Sequence, residues 1–279
     1  MVKVGYLGPE GTFSAQAAQK WVKSVGLKNY ILQPINSITY QISQVMEGKL
    51  NYSILPIENS VEGTVNIALD TLVKYEVLIV GEFVLPIEHC LAVKEAGIIQ
   101  PEVVFSHPQA LAQCYDYLAK NFTEISTVQV SSTGEAARMV AEGPLGWAAI
   151  CSKNAAERYG LYIMAQNIQD YAGNKTRFLV IGKDSPQPTG NDKTSLVIAL
   201  PQNQPGGLYR ILHSFAVENI NLTKIESRPT KRELGEYLFY IDCEGHQQDS
   251  KLFKVIEKLK QNAVFLKVLG SYPADRGMR

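Results

Sequence analysis

The run Val2-Lys3-Val4-Gly5-Tyr6-Leu7-Gly8-Pro9-Glu10-Gly11-Thr12-Phe13-Ser14 decides the fold, because it passes from strand chemistry through a turn into helix chemistry. Val2 to Leu7 reads as a strand, Gly8 to Gly11 as a turn, and Thr12 or Ser14 as a helix start. The helix that follows is expected to carry Ala15, Ala18, Val22 and Val25 on one face. Such a turn brings backbone N–H groups and two hydroxyls to a helix N-terminus, where the macrodipole favours anions. It either cradles a carboxylate or simply caps the helix. The pattern then repeats: Tyr30 to Ile35 is strand-like, Ser37 caps a helix bearing Ile38, Ile42, Val45 and Met46, Gly48 ends it, and Tyr52 to Ile57 is strand again. Strands alternating with helices predict a parallel sheet covered on both faces, with ligands beyond the strand carboxyl ends. That rule selects Glu58, Asn59 and Ser60, which precede a helix with Val65, Leu69 and Leu72.

Composition narrows the function. With 279 residues there is room for two domains, and Lys plus Arg equals Asp plus Glu at 27 each, so the electrostatic footprint of a nucleic-acid binder is missing and a small partner is expected. The N-terminal stretch lacks the apolar core of a signal peptide and no apolar run reaches membrane-spanning length, which predicts a cytoplasmic protein without a membrane partner. Cys90, Cys114, Cys151 and Cys243 lie far apart inside apolar patterns and read as reduced core residues. The four histidines show no metal-ligand spacing, so no metal is expected.

A second group of elements begins with Val77 to Leu85, Cys90 to Val93 and Val103 to Ser106. His107-Pro108-Gln109 stands at a strand-to-helix junction with Pro108 in the first helical position, and the helix is expected to bury Leu111, Cys114, Tyr115 and Leu118. Ile125 to Val130 is a strand, and Ser132-Thr133-Gly134-Glu135 matches the capping box before a helix with Ala136, Val140 and Ala141. Leu145 to Cys151, a helix from Ser152 to Tyr159, and Leu161 to Ile168 lead to Asn174-Lys175-Thr176-Arg177-Phe178, where an alcohol stands beside a guanidinium at the mouth of a buried strand. Such a pair suits an anionic substrate that must lose an oxygen. After a Pro- and Gly-containing linker, Thr194 to Leu200, a helix opened by Gly206-Gly207, the strands Leu222 to Glu226 and Glu236 to Asp242, a helix with Leu252, Val255, Ile256 and Leu259, and Val264 to Leu269 give β-α-β-β-α-β. That order predicts a ferredoxin-like sandwich with one sheet face covered.

Gly8 to Ser14, Pro56 to Ser60, Ser106 to Gln109, Ser132-Thr133 with Glu135-Ala136-Ala137, and Thr176-Arg177-Phe178 together resemble the ordered motifs of the prephenate dehydratase family. Likewise Pro205-Gly206-Gly207-Leu208 and Glu226-Ser227-Arg228-Pro229 are similar to the effector-binding motifs of its ACT domain, although relatives usually have Gly-Ala-Leu at 206–208 and many carry Ala at Gly134, where glycine is expected to loosen the helix start. The resemblance implies an α/β, two-lobed catalytic domain similar to type 2 periplasmic binding proteins over residues 1–183, with lobes of about 1–78 plus 160–183 and of 79–159. A linker at 184–193 and a ferredoxin-like ACT domain at 194–279 complete it.

The same resemblance implies decarboxylating dehydration of prephenate to phenylpyruvate without a cofactor, with phenylalanine as an allosteric effector bound between subunits of a homodimer or homotetramer. Thr176, Asn59, Gln109 and Arg177 are the expected catalytic residues. Thr12, Ser14, Glu58, Ser60, Ser106, His107, Ser132, Thr133 and Phe178 are expected to bind substrate, and Gly206, Gly207, Leu208, Glu226, Ser227, Arg228 and Pro229 the effector. Thr176 donates a hydrogen bond to the leaving oxygen in this reading, and Arg177 with helix N-termini holds the two carboxylates. Glu58 positions its loop, and His107 packs or bonds locally rather than serving as the acid. Two alternatives are arogenate dehydratase, which performs the same elimination on the amino analogue, and a non-catalytic amino-acid or keto-acid sensor; the ACT domain either responds to phenylalanine or serves only dimerisation. Since the chain opens directly on the catalytic motifs, chorismate mutase activity is expected on a separate protein.

Overall fold

A computed structural model describes residues 1–200, 205–230 and 236–275. The chain divides into two compact units, Met1–Gln41, Tyr52–Ala68 and Val84–Phe178 in the first, and Ile42–Asn51, Leu69–Phe83 and Leu179–Arg279 in the second.

Along the first stretch lie β1 (Val2–Leu7), α1 (Phe13–Ser24), β2 (Tyr30–Ile35), α2 (Ile38–Met46), β3 (Tyr52–Asn59), β4 (Gly63–Thr64), α3 (Asn66–Lys74) and β5 (Leu78–Pro86). β1 is parallel to both β2 and β3, as the alternation of strands and helices requires. β3 runs two residues past its expected end, so Glu58 and Asn59 are strand residues in a hairpin, paired with Thr64 and Gly63 of β4. The buried face of α1 is Ser14, Ala17, Ala18, Trp21 and Val22, whereas Val25 is an exposed C-cap. Trp21 sets this rotation: its ring packs edge-on to Tyr52 with centroids 5.1 Å apart, and burying so large a side chain outweighs burying an alanine.

The next elements are β6 (Cys90–Val93), β7 (Val103–Ser106), α4 (Pro108–Gln113), α5 (Tyr115–Asn121), β8 (Ser126–Gln129), α6 (Thr133–Glu142), β9 (Trp147–Cys151), α7 (Lys153–Arg158) and β10 (Tyr162–Gln166). They form a five-stranded sheet in the order β10-β6-β9-β7-β8, with β7 parallel to β8 and β9 and with β6 antiparallel to its neighbours. The single helix expected after Pro108 is two helices, broken at Cys114, whose φ of −120° leaves the helical region. That break turns Tyr115 out to solvent and keeps Ala110, Gln113, Cys114 and Leu118 inside. β11 (Lys175–Gly182) returns to the first sheet, whose order is β2-β1-β3-β11-β5 with β4 on β3. Strand pairing therefore changes sheet after Pro86 and before Lys175. All four cysteines are buried and unlinked, with the Sγ atoms of Cys90 and Cys151 3.9 Å apart across β6 and β9.

The second unit holds β12 (Asp192–Ala199), α8 (Gly207–Val217), β13 (Leu222–Pro229), β14 (Tyr237–Glu244), α9 (Ser250–Asn262) and β15 (Phe265–Pro273). The antiparallel order β13-β14-β12-β15 is that of a ferredoxin-like sheet. Leu196, Ile198, Ile211, Phe215, Ile241, Leu252, Val255 and Leu259 pack the helices onto one face. The other face is covered as well, which corrects the expectation of a single covered face. Residues 69–83 lie against it: Tyr240 Oη donates to Leu69 O at 3.2 Å, and Lys267 Nζ donates to the carbonyls of Leu72, Val73 and Tyr75 at the end of α3. Gly270 is the close-approach point, since a Cβ there would lie 2.1 Å from Ile79 O. Among the described residues no helix is long and apolar enough to cross a membrane.

Candidate active site

Within the first unit the strand carboxyl ends and helix starts surround a cleft of about 380 Å³. Nine of the anticipated residues line it: Thr12, Ser14, Asn59, His107, Gln109, Ser132, Thr133, Thr176 and Phe178. Four do not. Arg177 is excluded by strand parity, because alternate side chains of β11 take opposite faces and Thr176 and Phe178 take the cleft. Ser106 is fully buried and donates to Ile150 O at 2.7 Å, so its hydroxyl ties β7 to the sheet. Ser60 Oγ accepts from Lys175 N at 2.9 Å and donates to Asn174 Oδ1, which makes it a brace for the 174–175 backbone. Glu58 pairs with Thr64 in the hairpin and sits outside the lining.

Asn59 is the hub of what remains. Its Oδ1 accepts from the backbone N–H groups of Val61 and Glu62 at 3.0 and 3.1 Å. Since a backbone N–H donates only, this fixes the amide orientation: Nδ2 faces inward and donates to Thr176 Oγ1 at 2.8 Å, Asn174 Oδ1 at 2.9 Å and Lys175 O at 3.3 Å. Thr176, buried at 9% exposure, thus receives a hydrogen bond at oxygen and keeps its own proton for a cleft occupant. The polarity propagates further. Asn174 Nδ2 donates to Gln113 Oε1 at 3.0 Å, and Gln113 Oε1 also meets His89 Nε2 at 3.3 Å, which places the imidazole proton on Nε2 and a bare lone pair on Nδ1. Burial pushes the His89 pKa down to about 4, with the Gln113 hydrogen bond opposing it, so the ring is neutral at pH 7.

Two long helices start at the cleft. Thr12 caps α1 by accepting from Ala15 N at 3.2 Å while donating to Leu7 O or Pro9 O, so its side chain is a cap, and Ser132 caps α6 by accepting from Glu135 N at 3.0 Å. The Glu135 carboxylate pairs with Arg138 at 2.7 Å, so the capping box operates through the serine half. Each cap leaves the first-turn N–H groups, those of Phe13 and Ser14 and those of Thr133 and Gly134, without intrahelical acceptors. Gly134 brings the two starts together: a Cβ there would lie 2.6 Å from Glu10 O and 3.1 Å from Thr12 N. Its role is close approach, not a loosened helix. His107 caps α4 by accepting from Gln109 N through Nδ1 at 3.3 Å, and burial lowers its pKa against the pull of Glu62, which leaves it a poor acid at neutral pH.

The cleft lining contains no Lys or Arg among the described residues. Sequence reading assigned no site role to Glu62, Gly63, Thr64, His89, Gln113 or Asn174. Gln113 stands one helical turn from Gln109 and was reachable by periodicity, whereas nothing local marks His89.

A two-sheet α/β scaffold with helix N-termini and a neutral amide network around one cleft is an arrangement suited to a small anion, and a ferredoxin-like sheet follows it. The prephenate dehydratase family profile matches residues 4–186 and the ACT domain profile residues 194–261. The chain belongs to the prephenate dehydratase family. It is 41% identical over 274 residues to the prephenate dehydratase of Methanocaldococcus jannaschii, covering 96% of this chain and 97% of that one. The crystal structure of the Arthrobacter aurescens prephenate dehydratase in complex with L-Phe superposes with a TM-score of 0.87 at 32% identity, over 98% of this chain and 90% of that one. A protein described as GqqA, a novel type of quorum quenching acylase, has a TM-score of 0.87 at 28% identity, over 99% of this chain and all of that one.

The anticipated effector residues lie in the second unit. Gly206 is the α8 N-cap with φ +81°, and Gly207 is buried where a Cβ would lie 2.8 Å from Leu200 Cδ1. Glu226, Ser227, Arg228 and Pro229 end β13, an edge strand, and Leu208 is 38% exposed at the start of α8. Arg228 is already paired, donating to both oxygens of Asp70 at 3.2 and 3.3 Å.

Proposed function

We propose that this chain converts prephenate to phenylpyruvate, with loss of the ring carboxylate as carbon dioxide and of the ring hydroxyl as water, and that phenylalanine inhibits it through the ACT domain. The observation that carries this reading is the Thr176 hydroxyl, held at its oxygen by Asn59 with its proton free for the cleft. Aromatisation supplies the driving force, so the protein has to orient the dianion, exclude water and hydrogen-bond the departing oxygen. Thr176 donates that bond, and its acceptance from Asn59 polarises the O–H. The first-turn N–H groups of α1 and α6 hold the two carboxylates in place of the Arg177 guanidinium, each helix start contributing the equivalent of about half a positive charge. Gln109 and Asn59 add amide contacts, and Phe178 packs on the ring.

The acylase description of GqqA raises acyl transfer as a second chemistry, but that chemistry needs a hydroxyl whose proton a base accepts. Here the Thr176 oxygen faces an amide donor, not a base. Residues 1–183 form the catalytic part, 194–279 the regulatory part, in a cytoplasmic homodimer or homotetramer associated through the ACT domains. Residues 201–204, 231–235 and 276–279 of that span lie outside the described structure. The test is a steady-state assay on prephenate without added cofactor, with and without phenylalanine; no phenylpyruvate above the spontaneous rate rejects the enzyme, and equal rates reject the regulation.

A further inference from the structure

Gln113 and His89 line the cleft, and on each a buried polar atom, Gln113 Nε2 and His89 Nδ1, has no partner among the described residues; both side chains are at least nine-tenths buried. A buried donor and a buried acceptor left open on two hydrogen-bonded side chains cost stability, so their presence together points to a ligand group that meets them. Their identities are fixed from a distance: the Val61 and Glu62 N–H groups orient Asn59, Asn59 orients Asn174, Asn174 orients Gln113, and Gln113 sets the His89 tautomer. Both residues are also fixed in place. His89 N donates to Gln169 Oε1 at 2.9 Å, Ile168 N to His89 O at 3.0 Å, and Asp170 N to Gln113 O at 2.7 Å.

We propose that Gln113 and His89 read the substituent on the α-carbon of the substrate side chain, Gln113 Nε2 donating to a keto oxygen and His89 Nδ1 offering the acceptor that an amino group would use. This rests on the dehydratase reading above. Their position argues for the side-chain end: the His89 ring packs edge-on to Phe13, centroids 5.5 Å apart, and Phe13 opens α1, whose N–H groups hold a carboxylate in that reading. Thr176, which serves the opposite end of the ring, is linked to the pair only through Asn59 and Asn174. The chemistry excludes a carboxylate at this spot, because the lone pair of His89 Nδ1 repels carboxylate oxygens. A carbonyl satisfies Gln113 and an ammonium satisfies His89. The cleft thus accepts the keto acid and retains a foothold for its α-amino analogue.

Full-length Gln113→Glu and His89→Phe, each checked for folding by circular dichroism, are assayed on prephenate and on arogenate. Gln113→Glu exchanges a donor for an anionic acceptor: kcat/KM on prephenate falls by about tenfold or more, mainly through KM, and the keto-to-amino ratio moves by about a hundredfold toward the amine. His89→Phe moves the ratio the other way by about tenfold. If the carboxylate prevents folding, Gln113→Met replaces it and lowers kcat/KM on prephenate by about tenfold through loss of the Nε2 donor. Ratios that stay within about threefold of the wild type, or that move in the same direction in both variants, overturn the proposal while the wild type still makes phenylpyruvate. A wild type inactive on both substrates overturns the dehydratase reading and this inference with it.

Discussion

Replacing Asn59 with aspartate tests the polarity of the cleft network, because the two side chains differ only in the group facing Thr176. The carboxylate keeps an oxygen for the Val61 and Glu62 N–H groups. Its second oxygen, however, confronts Thr176 Oγ1, Asn174 Oδ1 and the Lys175 carbonyl, all of which accepted from Nδ2 at 2.8 to 3.3 Å. The two Nδ2 protons, one of them shared between acceptors, make hydrogen bonds worth about 0.5–1.5 kcal/mol each at a site 8% exposed, and with the carboxylate now facing other acceptors the expected loss is about 2–4 kcal/mol in folding stability. Thr176 relieves part of the conflict by turning its proton toward the carboxylate, which removes it from the substrate, so kcat falls by about a hundredfold. Burial among acceptors raises the pKa of the introduced carboxyl in the folded variant above its unfolded value. The sign follows: the stability deficit is smallest below pH of about 4, grows as pH rises toward the raised native value, and is complete above it. Urea denaturation across pH, with steady-state kinetics on prephenate, measures both effects. A variant within about 0.5 kcal/mol of wild type at pH 8, with kcat within about twofold, would refute the network as described.

Thr176→Ala removes the proposed donor and one acceptor of Asn59; kcat on prephenate is expected to drop by about a hundredfold or more with a stability loss of only about 0.5–1.5 kcal/mol, and near-normal turnover removes Thr176 from the mechanism. Gly134→Ala forces a Cβ to within 2.6 Å of Glu10 O, so the two helix starts must part, with an expected cost of about 1–3 kcal/mol and a raised KM for the dianion; unchanged stability and KM would show that the contact yields freely. Lys267→Met deletes the cation that caps the α3 carbonyls and is expected to destabilise the protein by about 1–2 kcal/mol in a denaturant titration. Arg177→Gln is expected to change KM for prephenate by less than about threefold, because the guanidinium lies outside the cleft lining, and a large rise in KM would restore it to the site.

Local chemistry carried much of this protein into view. Strand-to-helix alternation, Thr12 and Ser132 as caps, Pro108 at a helix start and Gly206-Gly207 at the opening of another helix were legible because each depends on neighbours a few residues away. Motif order brought Asn59, Gln109 and Thr176 to one cleft for the same reason, since strand carboxyl ends share an edge. The position of Arg177 outside the cleft lining was legible too, as parity alone separates it from Thr176 and Phe178. What the tertiary structure alone decided is long-range. Asn59 meets Thr176 across 117 positions and Gln113 meets Asn174 across 61, and only those contacts orient the amides and set the His89 tautomer. The same holds for residues 69–83 on the second face of the ferredoxin-like sheet and for Gly134 against Glu10. A hydrogen bond has a direction and a close approach has a distance, and neither is defined until both partners occupy the same place in space.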